Sequence, residues 1–308
     1  MSPLHRITMI ALLALAGFTP AATAQTEKIP TNLTVLTIGV SRYKAPGKDL
    51  THAAKDARDL AVAFKAHEGR LFARVQTRTL TDGQATRQNI EEALDWVAKQ
   101  VKASDYVVVF VAGHGTIDSL GHYCFLPHDY EPGRAPSAVR WTLFHDTLSR
   151  LPGKRFLILD TCRSGGAGGL GAPVAPTESF KGLTEQGLVT YAACMAGESS
   201  YESPGGPIQN GYFTRALIEA LSGQADANGD GIITLAEVDA YVANRVKALS
   251  RDQQNPTMQR PWTIPSSLAL GLVGPAAPLA GDVPASSMPL LDLSTQAAPP
   301  TGPIRSRR

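Results

Sequence analysis

Two stretches of this sequence constrain the fold more than any other. Tyr106-Val107-Val108-Val109-Phe110-Val111-Ala112-Gly113-His114-Gly115 is an apolar run that ends on a histidine between two glycines. Arg155-Phe156-Leu157-Ile158-Leu159-Asp160-Thr161-Cys162-Arg163-Ser164-Gly165-Gly166 has the same design and ends on a cysteine. Short apolar runs closed by glycine read as strands buried on both faces of a parallel sheet. Ligands and catalytic groups in such sheets sit just beyond the carboxyl ends of the strands. If the two strands are parallel neighbours, His114 and Cys162 meet at one edge of the sheet.

The rest of the chain alternates strands and helices. Strands are expected at Leu33–Val40, Ala73–Leu80, Tyr123–Pro127 and Leu188–Cys194, with a last edge strand over Trp262–Leu270 held out of the sheet centre by Pro265. Helices are expected over Thr51–Ala66, Thr86–Val101 (Thr86 as cap), within Ala138–Leu151, and over Tyr212–Leu221 and Leu235–Leu249. This order implies an α/β architecture with a mostly parallel sheet and right-handed crossovers. Gly165–Glu185 is rich in Gly, Ala and Pro and reads as a loop that orders when substrate binds.

The ends of the chain read differently. His5 and Arg6 precede an apolar run, Met9–Phe18, too short to span a bilayer, and Ala22-Thr23-Ala24 forms a small-residue cleavage site. Residues 1–24 are therefore expected to be a secretory signal peptide, and the protein to be exported, periplasmic or secreted, with no membrane anchor once the signal is removed. Residues 25–32 form a polar leader, residues 33–272 one domain, and residues 273–308 a disordered Pro/Ala-rich tail. The formal net charge of the whole chain is +2. Discounting Arg6 and the tail's excess arginine leaves the domain neutral, which gives no electrostatic case for nucleic acid. The three cysteines, Cys124, Cys162 and Cys194, are an odd count. Cys124 and Cys194 either pair or are two buried free thiols.

A thiol must be ionised to attack a carbonyl, and the leaving amine must be protonated. A neighbouring histidine serves both needs. The resulting oxyanion needs N–H donors, for which Gly115 and the amide of Cys162 are the candidates. Histidine first and cysteine about 50 residues later is the caspase-type order.

With these residues in place the chain resembles the caspase-like cysteine peptidases, and within them the metacaspase and bacterial caspase-like branch. Ala54-Lys55-Asp56-Ala57-Arg58-Asp59-Leu60 resembles that family's helix after the first strand. Gly113-His114-Gly115 resembles its histidine motif, Asp160-Thr161-Cys162-Arg163-Ser164-Gly165 its cysteine motif, and Gly211-Tyr212-Phe213-Thr214-Arg215-Ala216-Leu217 a segment opening a late helix. The resemblance implies a three-layer α/β sandwich with about six strands. It also implies a Cys-His endopeptidase acting on protein or peptide substrates without an organic cofactor. In the metacaspase branch it further implies cleavage after Arg or Lys, with Asp160 and Asp56 matching acidic substrate-binding positions. A carboxylate pair suits a guanidinium, which it can bind bidentately. Arg163 and Ala112 depart from that branch, which usually has histidine and often serine at those places. A catalytically silent caspase-fold binding module is the alternative, and the oligomeric state is left open.

Asp226-Ala227-Asn228-Gly229-Asp230-Gly231-Ile232-Ile233-Thr234-Leu235-Ala236-Glu237 fits a twelve-residue calcium loop. Asp226, Asn228, Asp230, Thr234 and Glu237 supply side-chain oxygens, Ile232 its carbonyl, and Gly231 the sharp turn. Ca²⁺ is the expected ion. The plainer reading is an Asx-rich turn that caps the helix containing Glu237.

Overall fold

The structure is a computed structural model that describes residues 31–163, 187–195, 198–202, 209–274 and 305–306, with Cys162, Arg163, Arg305 and Ser306 described by their backbone. The strands are β1 (Asn32–Gly39), β2 (Arg74–Thr81), β3 (Tyr106–Ile117), β4 (Tyr123–Phe125), β5 (Val139–Arg140), β6 (Lys154–Arg163), β7 (Leu188–Ala192), β8 (Tyr201–Glu202), β9 (Ile232–Thr234), β10 (Thr257–Gln259), β11 (Ala269–Leu272) and β12 (Arg305–Ser306). The helices are α1 (Ala53–Lys65), α2 (Arg87–Gln100), α3 (Trp141–Ser149), α4 (Tyr212–Glu219) and α5 (Leu235–Ser250).

One sheet runs in the order β10-β7-β6-β3-β1-β2, with β4 and β5 added beyond the end of β3. Its neighbours are parallel except for β10, which pairs antiparallel with β7, and the β3-β4-β5 extension. Successive residues of a strand face opposite sides, and the two sides bury different partners. Val35, Val108, Phe110, Phe156 and Ile158 pack with α1, α4 and α5. Leu36, Ile38, Val107, Val109, Val111, Leu157 and Leu159 pack with α2 and α3. Both faces are apolar because both are covered, which is why these strands carry runs rather than alternation. The result is the expected three-layer α/β sandwich, with β3 and β6 at its centre.

Local chemistry sets the boundaries. The Thr86 side chain accepts the N–H of Asn89 at 3.2 Å and starts α2. Thr234 and Glu237 form a capping box at α5, and Arg251 closes that helix in the left-handed region. At Gly39 a Cβ would come within 2.1 Å of the Ala53 carbonyl oxygen, so only glycine lets α1 begin so close to the end of β1. Among the described residues no helix is long and apolar enough to cross a membrane.

The strand expected at Trp262–Leu270 does not form. The sheet edge is taken by Thr257–Gln259, and residues 261–268 turn instead, with Ile264 N–H donating to Pro261 O and Leu268 N–H to Pro265 O. Two prolines without N–H groups suit turns and not a ladder. Ala269–Leu272 then pairs with β9, outside the main sheet. The signal peptide and almost all of the leader, and the loop expected at Gly165–Glu185, lie outside the described residues.

Candidate active site

The β3–β6 ladder sets the register of the site. Cα partners run Ala112↔Asp160, Gly113↔Thr161, His114↔Cys162 and Gly115↔Arg163. Positions 114 and 162 are thus direct neighbours across adjacent parallel strands, at the carboxyl end of the sheet, where the sequence pattern puts them. Gly113 has φ +149°, and a Cβ there would lie 2.8 Å from Tyr43 Oη and 3.0 Å from Phe125. A side chain at 113 would push away the residue that orients His114.

His114 is 1 % exposed. Its N–H donates to Tyr43 Oη at 2.9 Å, and the two rings lie 5.2 Å apart. Its Nε2 is 2.8 Å from the carbonyl oxygen of Lys48. A carbonyl can only accept, so Nε2 carries the proton, and in the neutral ring Nδ1 is the basic nitrogen. The tautomer is therefore set by a backbone group in the loop before α1. Gly115 lies between Phe125 on β4 and Arg163 on β6.

Asp56 and Asp160 are both fully buried. Asp56 accepts Asn210 Nδ2–H at 3.0 Å and the Gly211 N–H at 3.1 Å. Asp160 accepts the hydroxyls of Ser200 at 2.7 Å and Thr214 at 2.6 Å. Gly211 is the N-cap of α4 and Thr214 lies three residues on. Residues at that spacing share a helix face, so the two carboxylates converge on the first turn of α4, where the helix dipole favours negative charge. Asp56 is no solvated helix charge, as a surface reading of α1 would have it.

Other residues of this region are not singled out by the sequence. Glu202 is 4 % exposed, and its carboxylate accepts the N–H groups of Thr51 at 3.0 Å and His52 at 3.1 Å at the start of α1. Asn210 reaches Asp59 as well as Asp56, and Lys55 pairs with Asp59. Gln254 accepts the Tyr201 N–H and donates to Ala193 O and Ser200 Oγ. Thr214, Lys55 and Asp59 fall in motifs read from the sequence; Glu202, Asn210, Ser200, Gln254 and Tyr43 carry no local signal.

The acidic loop lies between α4 and α5. Asp226 accepts the Gly229 and Gly231 N–H groups, Asn228 Oδ1 accepts that of Asp230, and Asp230 accepts that of Ile232. Glu237 closes the ring onto Ala227 N–H and caps α5 through Thr234, and these hydrogen bonds hold its carboxyl below the usual range. Gly229 and Gly231 adopt positive φ, as the tight turn requires. The donor set suits Ca²⁺ in kind. Among the described residues no group of three or more His, Cys, Asp or Glu side chains converges to hold a metal. As arranged here, Thr234 and Glu237 of the loop cap α5.

Cys124 is a buried free thiol, so it does not pair with Cys194, which is buried as well. Burial pushes the Cys124 thiol up to about 11, which leaves it inert at neutral pH.

Comparison with known proteins finds a family and a similar fold. The Peptidase_C14 family model, described as a caspase domain, matches residues 33–268. Among solved structures, protein GSU0716 from Geobacter sulfurreducens is similar, with a TM-score of 0.57 and 15 % identity over 80 % of this chain and 100 % of that one. At that identity the likeness concerns the fold. No curated protein matches.

Proposed function

This chain belongs to the caspase-domain family of cysteine peptidases, and on that premise we propose that it is an endopeptidase whose dyad is His114 and Cys162 and that cleaves after Arg or Lys. The observation that carries the proposal is the β3–β6 register, which pairs position 114 with position 162 two residues beyond the Ala112↔Asp160 pair. In the reaction Nδ1 of His114 takes the thiol proton of Cys162. The thiolate adds to the scissile carbonyl, and the amides of Gly115 and Cys162 hold the oxyanion. His114 then returns the proton to the leaving amine. Water, activated by the same nitrogen, hydrolyses the thioester and frees the new carboxyl group. The Lys48 carbonyl keeps the ring in the tautomer this cycle needs and stabilises the imidazolium.

Specificity follows from charge. Asp56 and Asp160, gathered at α4, offer a desolvated acidic floor to a guanidinium or ammonium. Hydrolysis of two fluorogenic peptides, one with Arg and one with Asp before the reporter, tests both parts. Expected is cleavage of the Arg peptide, lost in Cys162→Ala. Cleavage of the Asp peptide alone would sink the acidic-floor reading, and cleavage of neither by folded protein would sink the enzyme.

We also propose export, on the leader pattern of residues 1–24. An amino terminus at Gln25 in protein recovered from the cell envelope or medium would support it, and an intact Met1 start there would contradict it. Ca²⁺ binding at Asp226, Asn228, Asp230, Ile232, Thr234 and Glu237 is proposed on donor chemistry. It requires the loop carboxylates to turn from their backbone partners. Calorimetric titration with Ca²⁺ should show one site that is lost in Asp226→Ala.

A further inference from the structure

Strand β8 is only two residues long, yet it touches most of the candidate pocket. Ser200, just before it, donates to Asp160. The Glu202 carboxylate takes the Thr51 and His52 N–H groups ahead of α1. The Glu202 backbone bridges to Gly211, whose N–H serves Asp56. Gln254 fixes the Tyr201 amide from behind. An extended peptide laid along β8 would therefore lie against the wall formed by the acidic residues.

The structure places such a peptide there, and it comes from the chain itself. β12 pairs antiparallel with β8, Arg305 opposite Glu202 and Ser306 opposite Tyr201. The segment is Arg305-Ser306-Arg307-Arg308, at the end of the sequence. Its cationic composition complements Asp56, Asp160 and Glu202, all buried beside β8. About thirty residues separate Gly274 from Arg305, a contour of about 100 Å when extended, so the tether does not limit reach.

We propose that the C-terminal arginine segment is a built-in occupant of the β8 edge, a substrate-like strand that competes with peptide substrates. Main-chain pairing supplies the docking and the arginines the match to the acidic wall. Attachment through a linker of about thirty residues presents the segment at an effective concentration of about a millimolar, enough to make a weak interaction matter. The competition rests on the peptidase reading above; the seat itself does not.

The test uses the full chain carrying Cys162→Ala, with and without Ser306→Pro. Proline removes an N–H and disfavours the pairing. Hydrogen exchange over residues 198–202 reports the seat. Expected is exchange at least about tenfold faster in Ser306→Pro (a 1.4 kcal/mol loss of protection), with protection restored by the synthetic peptide Pro-Ile-Arg-Ser-Arg-Arg. Unchanged exchange overturns the seat. In the protein with Cys162 intact, Ser306→Pro should lower KM for the Arg reporter several-fold and leave kcat unchanged; an unmoved KM overturns the competition. If no peptide is hydrolysed but the exchange difference stands, the peptidase reading fails and the tail seat survives.

Discussion

Replacing Thr214 with valine tests whether the two carboxylates are held as described. Valine keeps the shape of threonine and removes the hydroxyl that donates to Asp160 Oδ2 at 2.6 Å. Both residues are fully buried, so water cannot replace the lost bond. A hydrogen bond to a charged acceptor contributes about 1.5–3 kcal/mol net. At about 2–4 °C per kcal/mol for a domain of this size, Tm should fall by roughly 3–12 °C. Thr214→Ser keeps the donor and loses one methyl, a cost of about 1 kcal/mol. Differential scanning calorimetry of the two variants separates hydroxyl from methyl. Adding Ser200→Ala, which removes the other hydroxyl donor on Asp160, should give a non-additive cycle, because both donors serve one carboxylate. If Thr214→Val is as stable as Thr214→Ser, Asp160 does not depend on α4 and the convergence of the two carboxylates is wrong.

Three further outcomes are expected. Burial, and then the charge of Arg70, hold His67 at about 4 instead of 6.5. The unfolded chain therefore binds a proton that the folded chain refuses as pH falls from about 6.5 to about 4, and stability should drop by about 3 kcal/mol over that window. Denaturant titration should show that slope flattened in His67→Asn. Tyr43→Phe removes the acceptor of the buried His114 N–H, at a cost of about 1–3 kcal/mol, and kcat should fall roughly tenfold or more; an unchanged kcat would remove Tyr43 from the positioning of His114. Glu237→Ala removes the acceptor that completes the capping box at α5 and should cost about 0.5–2 kcal/mol in thermal unfolding, measured in chelator so that Ca²⁺ plays no part.

How much of this was legible in the sequence depends on distance along the chain. β1, β3 and β6 are readable because they carry apolar runs, and a run means burial on both faces. α2 is readable because Thr86 caps it, a signal three residues wide. The His114↔Cys162 register follows from two strands of one design, each ending on glycine. The edge strand was misplaced because Trp262–Leu270 is apolar in composition, while Pro261 and Pro265 favour turns and Thr257–Gln259 has no apolar signature. The support of the pocket was illegible for another reason. Glu202 meets His52 across 150 residues and Asn210 meets Asp56 across 154, and no local pattern encodes such pairs. Asp56 looks like any helix charge until α4 is brought over it.

The most direct test of the central claim is covalent capture of the nucleophile. The protein would be treated with a peptidyl ketone electrophile ending in Arg and, separately, one ending in Asp, and the adduct located by peptide mapping. With chloromethyl ketone reagents, expected is stoichiometric thioether formation at Cys162 with the Arg reagent as the thiolate displaces chloride, abolished in Cys162→Ala and strongly slowed in His114→Ala, with Cys124 and Cys194 unmodified. Absence of an adduct at Cys162 in folded protein, or equal labelling in His114→Ala, would contradict the dyad.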